Sequence, residues 1–350
     1  MVKELVTWLA AALIGLAVPA CAPAAAPAEP VRLTVAASGD LLIHTPVAQR
    51  ALALGGGRVY DFAPLFRPVR RRIAGADLAL CHVETPLVPG PVQGYPSFRT
   101  PPDLARSIRR VGWDACSTAS NHSLDAGEYG VATTLRALRG AGVRTSGTAR
   151  SPRERSRTTM LRASGVPVAF LSYTAVSNGQ AVPHPWTVNW ASPGPILADA
   201  RRARGRGARI VIVNLHWGTE YVQAVTPQQR ALARRLTRSP AIDAIVGQHA
   251  HVVQPIRRVN GKPVVFGEGN LISNQTPGCC AAGAQDGLIA LIDFVVRPGR
   301  RVRARGIRYV PTWVRHPDMT VVPAAPGSPS WNRTVSVAGR RPGIRPLAAR

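Results

Sequence analysis

The sequence predicts an α/β fold built on a mixed β-sheet or on two stacked sheets. Apolar, strand-like runs alternate with helical segments along most of the 350-residue chain, which is the pattern of α/β domains. After about residue 254 these runs are separated only by short turns, which is typical of antiparallel strands and argues against a simple doubly wound sheet. The chain is long enough to bury a large core.

Nine apolar runs are predicted strands because each is short and bounded by turn-forming or polar residues. They cover residues 32–37, 77–83, 115–120, 167–174, 209–217, 244–248, 263–269, 287–296 and 307–314. The Asn-Gly-Lys sequence at 260–262 is a hairpin signal.

Four helices are predicted between these strands, and they cover residues 61–75, 101–112, 127–142 and 226–239. The third helix ends in glycines, as helices often do. The fourth begins with Thr226 as its N-cap and Pro227 at its first helical position.

The N-terminus carries an uncharged apolar run at residues 6–18, VTWLAAALIGLAV, behind Lys3. This run is short for a membrane-spanning helix and has the length of a signal-peptide core. The Val-Pro-Ala-Cys sequence at 18–21 resembles a bacterial lipobox, although proline is unusual there. We therefore predict a signal peptide with a lipobox over residues 1–21 and a flexible linker over 22–30.

Export follows from this prediction, with the final location left open. Lipidation at Cys21 would hold the protein at the extracellular face of the cell membrane, whereas cleavage in the following Ala- and Pro-rich stretch would secrete it. An uncleaved anchor helix is the remaining alternative. At the other end, the Pro-, Gly- and Arg-rich composition of residues 324–350 predicts a disordered tail.

The net charge of +26 comes almost entirely from arginine, since the sequence has only two lysines. Such a charge favours an anionic neighbourhood. We do not expect nucleic acid as the partner, because the chain is predicted to be exported and shows no nucleic-acid-reading module. An anionic cell-surface polymer or the phospholipid surface fits better.

The five cysteines fit no zinc-binding spacing. Export would allow disulfides. Cys81 and Cys116 each precede a polar motif, and we expect both to be buried. A bond between the adjacent Cys279 and Cys280 and a pairing with a more distant cysteine are both open.

Five polar motifs follow predicted strands directly. Because the carboxyl ends of parallel strands form one edge of a sheet, motifs far apart in sequence can meet there. Six of the eight histidines lie in these motifs, and their acidic and amide companions suit a divalent ion such as Mn²⁺, Fe²⁺, Zn²⁺ or Mg²⁺. The motif residues, in chain order, are Asp40 and His44, His82 and Glu84, Asn121, His122 and Asp125, His216 and Glu220, and His249 and His251.

Taken together, the motifs resemble a known family. The sequences GDLLIH, ADLALCHVETPL, STASNHSLDAGEYG, VNLHWGTEY, IVGQHAHVVQPI and VVFGEGNLI occur in the order found in CapA-type poly-γ-glutamate capsule biosynthesis proteins of the calcineurin-like metallophosphoesterase superfamily. The resemblance covers about residues 32–322. It implies a metallophosphoesterase-like four-layer α/β/β/α sandwich with mixed sheets, which we place in a domain spanning residues 31–323.

The resemblance also implies roles for individual residues. His122 would face a substrate phosphate as a general acid. The family usually reads Asn-Leu-Glu where this chain has His82-Val83-Glu84. The implied ligands of one or two divalent metal ions are Asp40, Glu84, Asn121, His216, His249 and His251.

The chain departs from the wider superfamily in its first motif. Where that motif reads Asp-x-His, this chain has Leu42, and the nearest histidine is His44. A full two-metal site and a site with one tight and one weak metal are therefore both open.

Two further residues and one segment have structural and functional alternatives. Asp125 is expected to cap or orient the following helix, with support of a metal-bound side chain as the alternative. Glu220 is expected to orient His216 or to line the pocket. The FGEGN sequence at 266–270 is expected to be a turn with little catalytic role, with Glu268 and Asn270 reaching the site as the alternative.

Two hypotheses about function follow. In the first, the protein is exported and acts in biosynthesis or release of a capsule, poly-γ-glutamate or a related anionic polymer, with a metal-dependent phosphoesterase-like site. In the second, it is a non-catalytic scaffold or a polymer-binding partner of a membrane polymer synthase. The partners expected are the anionic polymer or a phosphoester substrate, synthase subunits, and the membrane through the signal or lipid anchor.

Overall fold

The computed structural model describes residues 29–348. The predicted signal peptide and most of the predicted linker lie outside the described residues. Within the range that the structure describes, no helix is long and apolar enough to cross a membrane.

The described chain forms fifteen strands. They are β1 Val31–Leu41, β2 Leu78–Val83, β3 Ala115–Ser117, β4 Arg144–Ser146, β5 Thr159–Ala163, β6 Val166–Thr174, β7 Ile210–Trp217, β8 Ala244–His249, β9 Ile256–Val259, β10 Lys262–Val265, β11 Asn270–Ile272, β12 Asp286–Val296, β13 Arg303–Arg315, β14 Thr320–Pro323 and β15 Ile344–Pro346.

Eight α-helices accompany these strands in the described part of the chain. They are α1 Thr45–Leu54, α2 Arg70–Ala74, α3 Asp103–Val111, α4 Gly127–Gly140, α5 Pro152–Arg155, α6 Pro193–Gly205, α7 Pro227–Arg238 and α8 Pro329–Ala338.

The strands form two mixed sheets. The first sheet has the order β14-β13-β12-β1-β2-β3-β4, with β11 beside β1 and β15 beside β13. The second has the order β5-β6-β7-β8-β10-β9. The strands β1 to β4 are parallel to one another, as are β6, β7, β8 and β10. Antiparallel strands lie at the flanks of both parallel blocks.

The two sheets pack face to face, and helices cover their outer faces. Val35 and Leu80 of the first sheet share one core with Phe170 and Ile212 of the second. The helices α1 to α4 pack on the outer face of the first sheet, and α6 and α7 pack on the outer face of the second. The predicted four-layer α/β/β/α fold is therefore confirmed.

Strand β2 shows why the buried strands carry apolar residues on both faces before they reach the site. Leu78 and Leu80 point toward the second sheet, whereas Ala79, Cys81 and Val83 point toward the helices. Because both faces of the strand are covered, both sets of alternating side chains must be apolar.

Two local predictions are confirmed in detail. Thr226 caps α7, and its side chain accepts a hydrogen bond from the backbone N–H of Gln229 in a complete capping box. The strands β9 and β10 form an antiparallel hairpin. Its two loop residues, Asn260 and Gly261, both have positive φ, as this type of tight turn requires.

The predicted helix over 61–75 is wrong as a single element. The structure has a 3₁₀ turn at Ala63–Phe66 and the short α2 at Arg70–Ala74. Pro68 lies between them, and proline has no N–H to continue a helical hydrogen-bond ladder.

The prediction that all late strands are antiparallel also needs correction. Strands β12, β13 and β14 are antiparallel neighbours. However, β10 is parallel to β8, β11 to β1 and β15 to β13. The late strands complete existing sheets, so their direction is set by distant partners and not by the short turns between them.

The prediction of a disordered tail over 324–350 is contradicted for the described residues up to 348. Ser328 caps α8 through a 3.2 Å hydrogen bond from the N–H of Trp331, and Pro329 occupies the first turn. Ala338 and Ile344 are buried in the core between the sheets. The prediction of disorder rested on the Pro-, Gly- and Arg-rich composition. It left out the N-cap signal at Ser328 and the apolar residues that anchor the segment.

The prediction that Cys81 and Cys116 are buried is confirmed. These cysteines lie opposite each other on β2 and β3 and form a disulfide. Of the two open alternatives for Cys279 and Cys280, the structure shows the bond between them.

Candidate metal centre

The first sheet brings carboxylates, an amide and two histidines to the carboxyl ends of its parallel strands. Asp40 lies near the end of β1, directly opposite His82 of β2. Glu84 follows β2 and is 1% exposed. Asn121 and His122 lie in the turn between β3 and α4, where they are also buried.

The second sheet brings imidazoles to the same place. His216 lies near the end of β7, and His249 ends β8. His249 has φ of 91° and His251 has φ of 54°. Non-glycine residues rarely adopt this region, and such strain is concentrated at functional sites. The backbone after β8 therefore turns sharply enough to direct both side chains toward the first sheet.

Distances between side chains show that the two sets meet. His251 Nδ1 lies 3.2 Å from Asp40 Oδ2, and His251 Nε2 lies 3.6 Å from Glu84 Oε1. His216 Nε2 lies 4.0 Å from Glu84 Oε1 and 2.7 Å from Asn121 Oδ1. The ring of His249 lies 4.7 Å from that of His216 between centroids, so all six residues predicted as metal ligands belong to one buried cluster between the sheet ends.

Many ligand-type atoms of this cluster have no hydrogen-bond partner among the described residues. Buried groups normally find partners, so this concentration at one site indicates that a cation belongs there. The carboxylates and imidazoles suit a divalent ion of the transition series or Mg²⁺. The unpartnered atoms are Asp40 Oδ1, His82 Nε2, Glu84 Oε1 and Oε2, His216 Nδ1 and His249 Nδ1.

Three overlapping groups have ligand atoms close enough to share an ion. In each group the ligand atoms lie within 4.8 Å of one another. The groups are Asp40, His82 and His216; Asp40, Glu84 and His251; and Glu220, His249 and His251.

Burial controls the protonation of the imidazoles. It lowers the pKa of His82 to about 4 and that of His249 to about 3. It also lowers the pKa of His216 well below its usual range. These three rings are neutral at neutral pH, which is the form that binds metals.

The acidic part of the cluster attracts positive charge. Burial raises the pKa of Glu84 well above its usual range; Asp40 adds to this rise, and His251 opposes it. Burial acts to lower the pKa of His251, but Glu84 and Asp40 outweigh it and raise that pKa to about 10. The site therefore favours a cationic occupant beside its two carboxylates.

His122 is held differently from the ligand-type residues. Its Nδ1 lies 2.8 Å from Asp125 Oδ2. Asp125 also accepts hydrogen bonds from the backbone N–H of Phe98 and from Gln180 Nε2, both at 2.7 Å. The expectation that Asp125 caps the following helix is wrong, because the N-cap of α4 is Ala126, without a side-chain cap. Asp125 instead fixes the ring of His122.

The two remaining predicted residues, Glu220 and His44, differ in whether they belong to a ligand group. Glu220 is exposed and shares a ligand group with His249 and His251; it does not orient His216, whose Nε2 meets Asn121. His44 belongs to none of the three ligand groups. Its Nδ1 lies 3.2 Å from Asn274 N and 3.3 Å from Leu42 O.

Three residues around the cluster were not predicted as ligands or catalytic residues. His82 was predicted only as a strand-end histidine, yet its ring is fully buried beside Asp40. Asn270 and Glu268 were expected in a turn, with a position at the site as the alternative. Asn270 Oδ1 lies 3.1 Å from His251 Nδ1, which supports that alternative for Asn270. The buried Glu268 accepts a 2.7 Å hydrogen bond from Gln248.

Comparison with protein families gives one match. The model of a family described as bacterial capsule synthesis protein PGA_cap matches residues 34–275. This range contains every residue of the cluster.

Individual relatives agree with that match. The capsule biosynthesis protein CapA of Bacillus anthracis is 24% identical over 259 residues, which cover 71% of this chain and 61% of that protein. The PGA biosynthesis protein CapA of Bacillus subtilis strain 168 is 29% identical over 185 residues, covering 51% and 47%. A probable polyglutamine synthesis accessory protein of Mycobacterium tuberculosis strain H37Rv is 29% identical over 190 residues, covering 51% and 50%. The chain thus spans about half the length of most of these curated relatives.

Solved structures with similar folds include phosphoesterases. The calcineurin-like phosphoesterase YfkN of Bacillus subtilis has a TM-score of 0.46 at 14% identity, covering 88% of this chain and 96% of that chain. A 5′-nucleotidase precursor of Thermus thermophilus has a TM-score of 0.47 at 14% identity, covering 84% and 54%.

The family match extends over more than half of the chain and confirms the resemblance seen in the sequence motifs. This protein belongs to the PGA_cap family of bacterial capsule synthesis proteins.

Proposed function

We propose that this protein is an exported accessory protein of capsule or poly-γ-glutamate-type polymer biosynthesis or release, with a metal-dependent phosphoesterase-like site. The observation that carries the proposal is the buried cluster of unpartnered carboxylate and imidazole atoms between the two sheets. Burial of so many unpartnered polar atoms costs free energy, and a bound cation would offset that cost.

The polymer part of the proposal rests on family membership and on the relatives. Two of those relatives are described as capsule or PGA biosynthesis proteins. The net charge of +26 suits an anionic polymer. The apolar N-terminal run, followed by a lipobox-like site, supports export to the cell surface, by a lipid anchor or by secretion.

The residues of the cluster have different roles, and the first of these is metal binding. Asp40, Glu84, Asn121, His216, His249 and His251 would hold one or two divalent ions. What such an ion supplies when bound is Lewis-acid polarisation of a phosphoryl oxygen.

His122 supplies the proton transfer. In its charged form the ring carries a proton on Nε2, which is free to pass to the leaving oxygen of a phosphoester. The carboxylate of Asp125 at Nδ1 sets the orientation of the ring. Asn178 Nδ2 lies 3.4 Å from the same Nδ1, and its Oδ1 accepts from Asn121 Nδ2 at 3.0 Å. This contact links the proton-transferring residue to the ligand set.

One observation favours a second function, a non-catalytic scaffold or polymer-binding partner of a membrane polymer synthase. Asp40, His82 and His216 are 0% exposed, so an ion among them would be enclosed as in structural metal sites. In this function the ion holds the two sheets together and no phosphoester is cleaved.

One experiment separates the two functions. The purified full chain is assayed for bound metal by mass spectrometry and for hydrolysis of bis(p-nitrophenyl) phosphate. We expect bound metal and turnover, and we expect His122→Ala to lower kcat by about 10²–10⁴-fold with metal content unchanged. His249→Ala should bind the metal more weakly and lower the metal content. His184→Ala, an exposed histidine outside the ligand groups, is the matched control.

The outcomes are distinct. Wild-type protein without bound metal would overturn the metal site in both forms. Bound metal without turnover, together with loss of capsule output in cells carrying His249→Ala, would establish the scaffold and reject the enzyme.

A further inference from the structure

The first motif leaves one ligand position unfilled on β1. Leu42 stands where the Asp-x-His pattern has histidine, and its side chain is 2% exposed. His44, the nearest histidine in sequence, does not replace it. Its ring packs edge-on against Phe98 at 5.3 Å between centroids, and its Nδ1 lies 3.2 Å from Asn274 N.

His82 fills that region from the neighbouring strand. It pairs in register with Asp40 across β1 and β2, and its Nε2 lies 3.8 Å from Asp40 Oδ1. The ring lies beside that of His216, with 4.8 Å between centroids. The residue is fully buried.

The hydrogen bonds around His82 indicate which nitrogen is free. Its Nδ1 lies 2.6 Å from Ser117 Oγ, which also lies 3.3 Å from Cys81 O. Nδ1 thus has a partner, whereas Nε2 and Asp40 Oδ1 have no hydrogen-bond partner among the described residues. These two buried atoms lie 3.8 Å apart, too far for a hydrogen bond, and a cation between them would satisfy both.

We propose that His82 is a metal ligand, which supplies from β2 the imidazole that β1 lacks, and that it makes this position select a transition metal over Mg²⁺. The proposal rests on the metal site of the proposed function. The group Asp40, His82 and His216 offers two nitrogens and one carboxylate. Imidazole suits Zn²⁺ and other transition metals, whereas Mg²⁺ prefers oxygen ligands.

Ser117 is the residue that positions His82. A hydrogen bond to the second ring nitrogen of a metal-binding histidine fixes the ring and raises its basicity. Removing this bond while keeping the imidazole tests the ligand role without changing the ligand itself.

The test is metal affinity of the full chain, measured by calorimetry with Zn²⁺, Mn²⁺ and Mg²⁺ and by the absorption spectrum of the Co²⁺-loaded protein. For His82→Asn, which restores the residue usual in the resembled family, we expect transition-metal affinity to fall by at least about 100-fold, with Mg²⁺ affinity little changed and an altered Co²⁺ spectrum. Ser117→Ala should lower transition-metal affinity by about 10–100-fold. His184→Asn is the control for loss of an unrelated histidine.

Each outcome decides a different point. If the wild type binds none of the transition metals, the proposed function itself fails. If the wild type binds them but His82→Asn keeps its affinity and its Co²⁺ spectrum, only the role of His82 fails. A loss confined to His44→Asn would assign the position to His44 instead. Metal-free unfolding curves of His82→Asn and Ser117→Ala show whether the fold is intact, and Ser117→Ala decides the question if His82→Asn does not fold.

Discussion

The two sheets of this protein contribute different chemistry to one site. The first sheet supplies the negative charge, through Asp40 and Glu84, together with the amide of Asn121 and the imidazole of His82. The second supplies mainly imidazoles, through His216 and His249. Two of the three ligand groups combine residues from both sheets. The comparison teaches that the site is a product of sheet packing, so a bound ion would also link the two halves of the fold.

The sheet ends are also held in different ways. On the first sheet, the Cys81–Cys116 disulfide joins β2 and β3 one residue before His82 and Ser117. On the second sheet, the positive φ values of His249 and His251 direct these side chains toward the first sheet. Covalent support is thus found on the carboxylate side, and backbone strain on the imidazole side.

The largest expected effect concerns that disulfide. Cys81 and Cys116 are 35 residues apart, and a cross-link of that span restricts the unfolded chain by about 3–4 kcal/mol. We expect the double variant Cys81→Ala/Cys116→Ala to lower the free energy of unfolding in urea by that amount. The matched control is Cys279→Ala/Cys280→Ala, whose bond joins adjacent residues and should contribute little. Equal losses in both variants would contradict the argument.

Removal of the metal should have the next largest effect. An ion that binds only the folded state stabilises it, by about 2.7 kcal/mol when its concentration is 100 times Kd. Chelation should therefore lower the free energy of unfolding by that amount, and adding the ion back should restore it. Thermal unfolding with and without a chelator measures this, and an unchanged Tm would argue against an ion linking the sheets.

A ligand from each sheet can then be compared directly. Asp40 belongs to two of the three ligand groups and His249 to one. We expect Asp40→Asn to abolish the stabilisation by metal. His249→Asn should keep part of it, about 1.4 kcal/mol if Kd rises tenfold at the same metal concentration. Metal titrations followed by thermal unfolding test this order, and the reverse order would show that the imidazole side dominates.

The smallest expected effect lies where the chain passes from the first sheet to the second. Burial acts to raise the pKa of Glu154 on α5, but hydrogen bonds from Arg150 and Arg139 outweigh it and lower the pKa to about 2. Because the folded pKa is lower than the ordinary value of 4.5, this stabilisation is present above about pH 4.5 and is lost as the pH falls through about 2.

Since the group is partly exposed, we expect Glu154→Gln to cost less than about 1 kcal/mol near neutral pH, and nothing at the acid end. Urea unfolding at both pH values measures the difference. Glu29→Gln, at an exposed position outside the sheets, is the control. A cost that persists at the acid end would show that the ion pairs are not its source.

Much of the fold was predictable because its signals are local. The capping box of α7 and the Asn260-Gly261 hairpin depend on neighbouring residues only, and both were read correctly. The break at Pro68 and the cap at Ser328 were also local signals, but composition and periodicity outweighed them in the prediction. The directions of β11 and β15 had no local signal at all, because partners more than thirty residues away decide them.

The site was predictable to a similar extent. The positions of Asp40, Glu84 and His216 after strands followed from the sequence pattern, and the structure brings them together. The role of Asp125 did not follow, because the residue lies just before a helix, where capping is the usual role of aspartate. Its partners Phe98 and Gln180 come from other loops, and only the folded chain brings them to it.

By itself, the sequence determined the ligand chemistry, the strand ends that carry it and the family to which the chain belongs. Period-2 patterns and turn residues are properties of short segments, so they can be read without the fold. Only the tertiary structure decided that His82 faces Asp40 with a free nitrogen, that His44 does not, and that Cys81 meets Cys116. These facts depend on strand register and on the packing of two sheets, which are set by contacts between residues far apart in the chain.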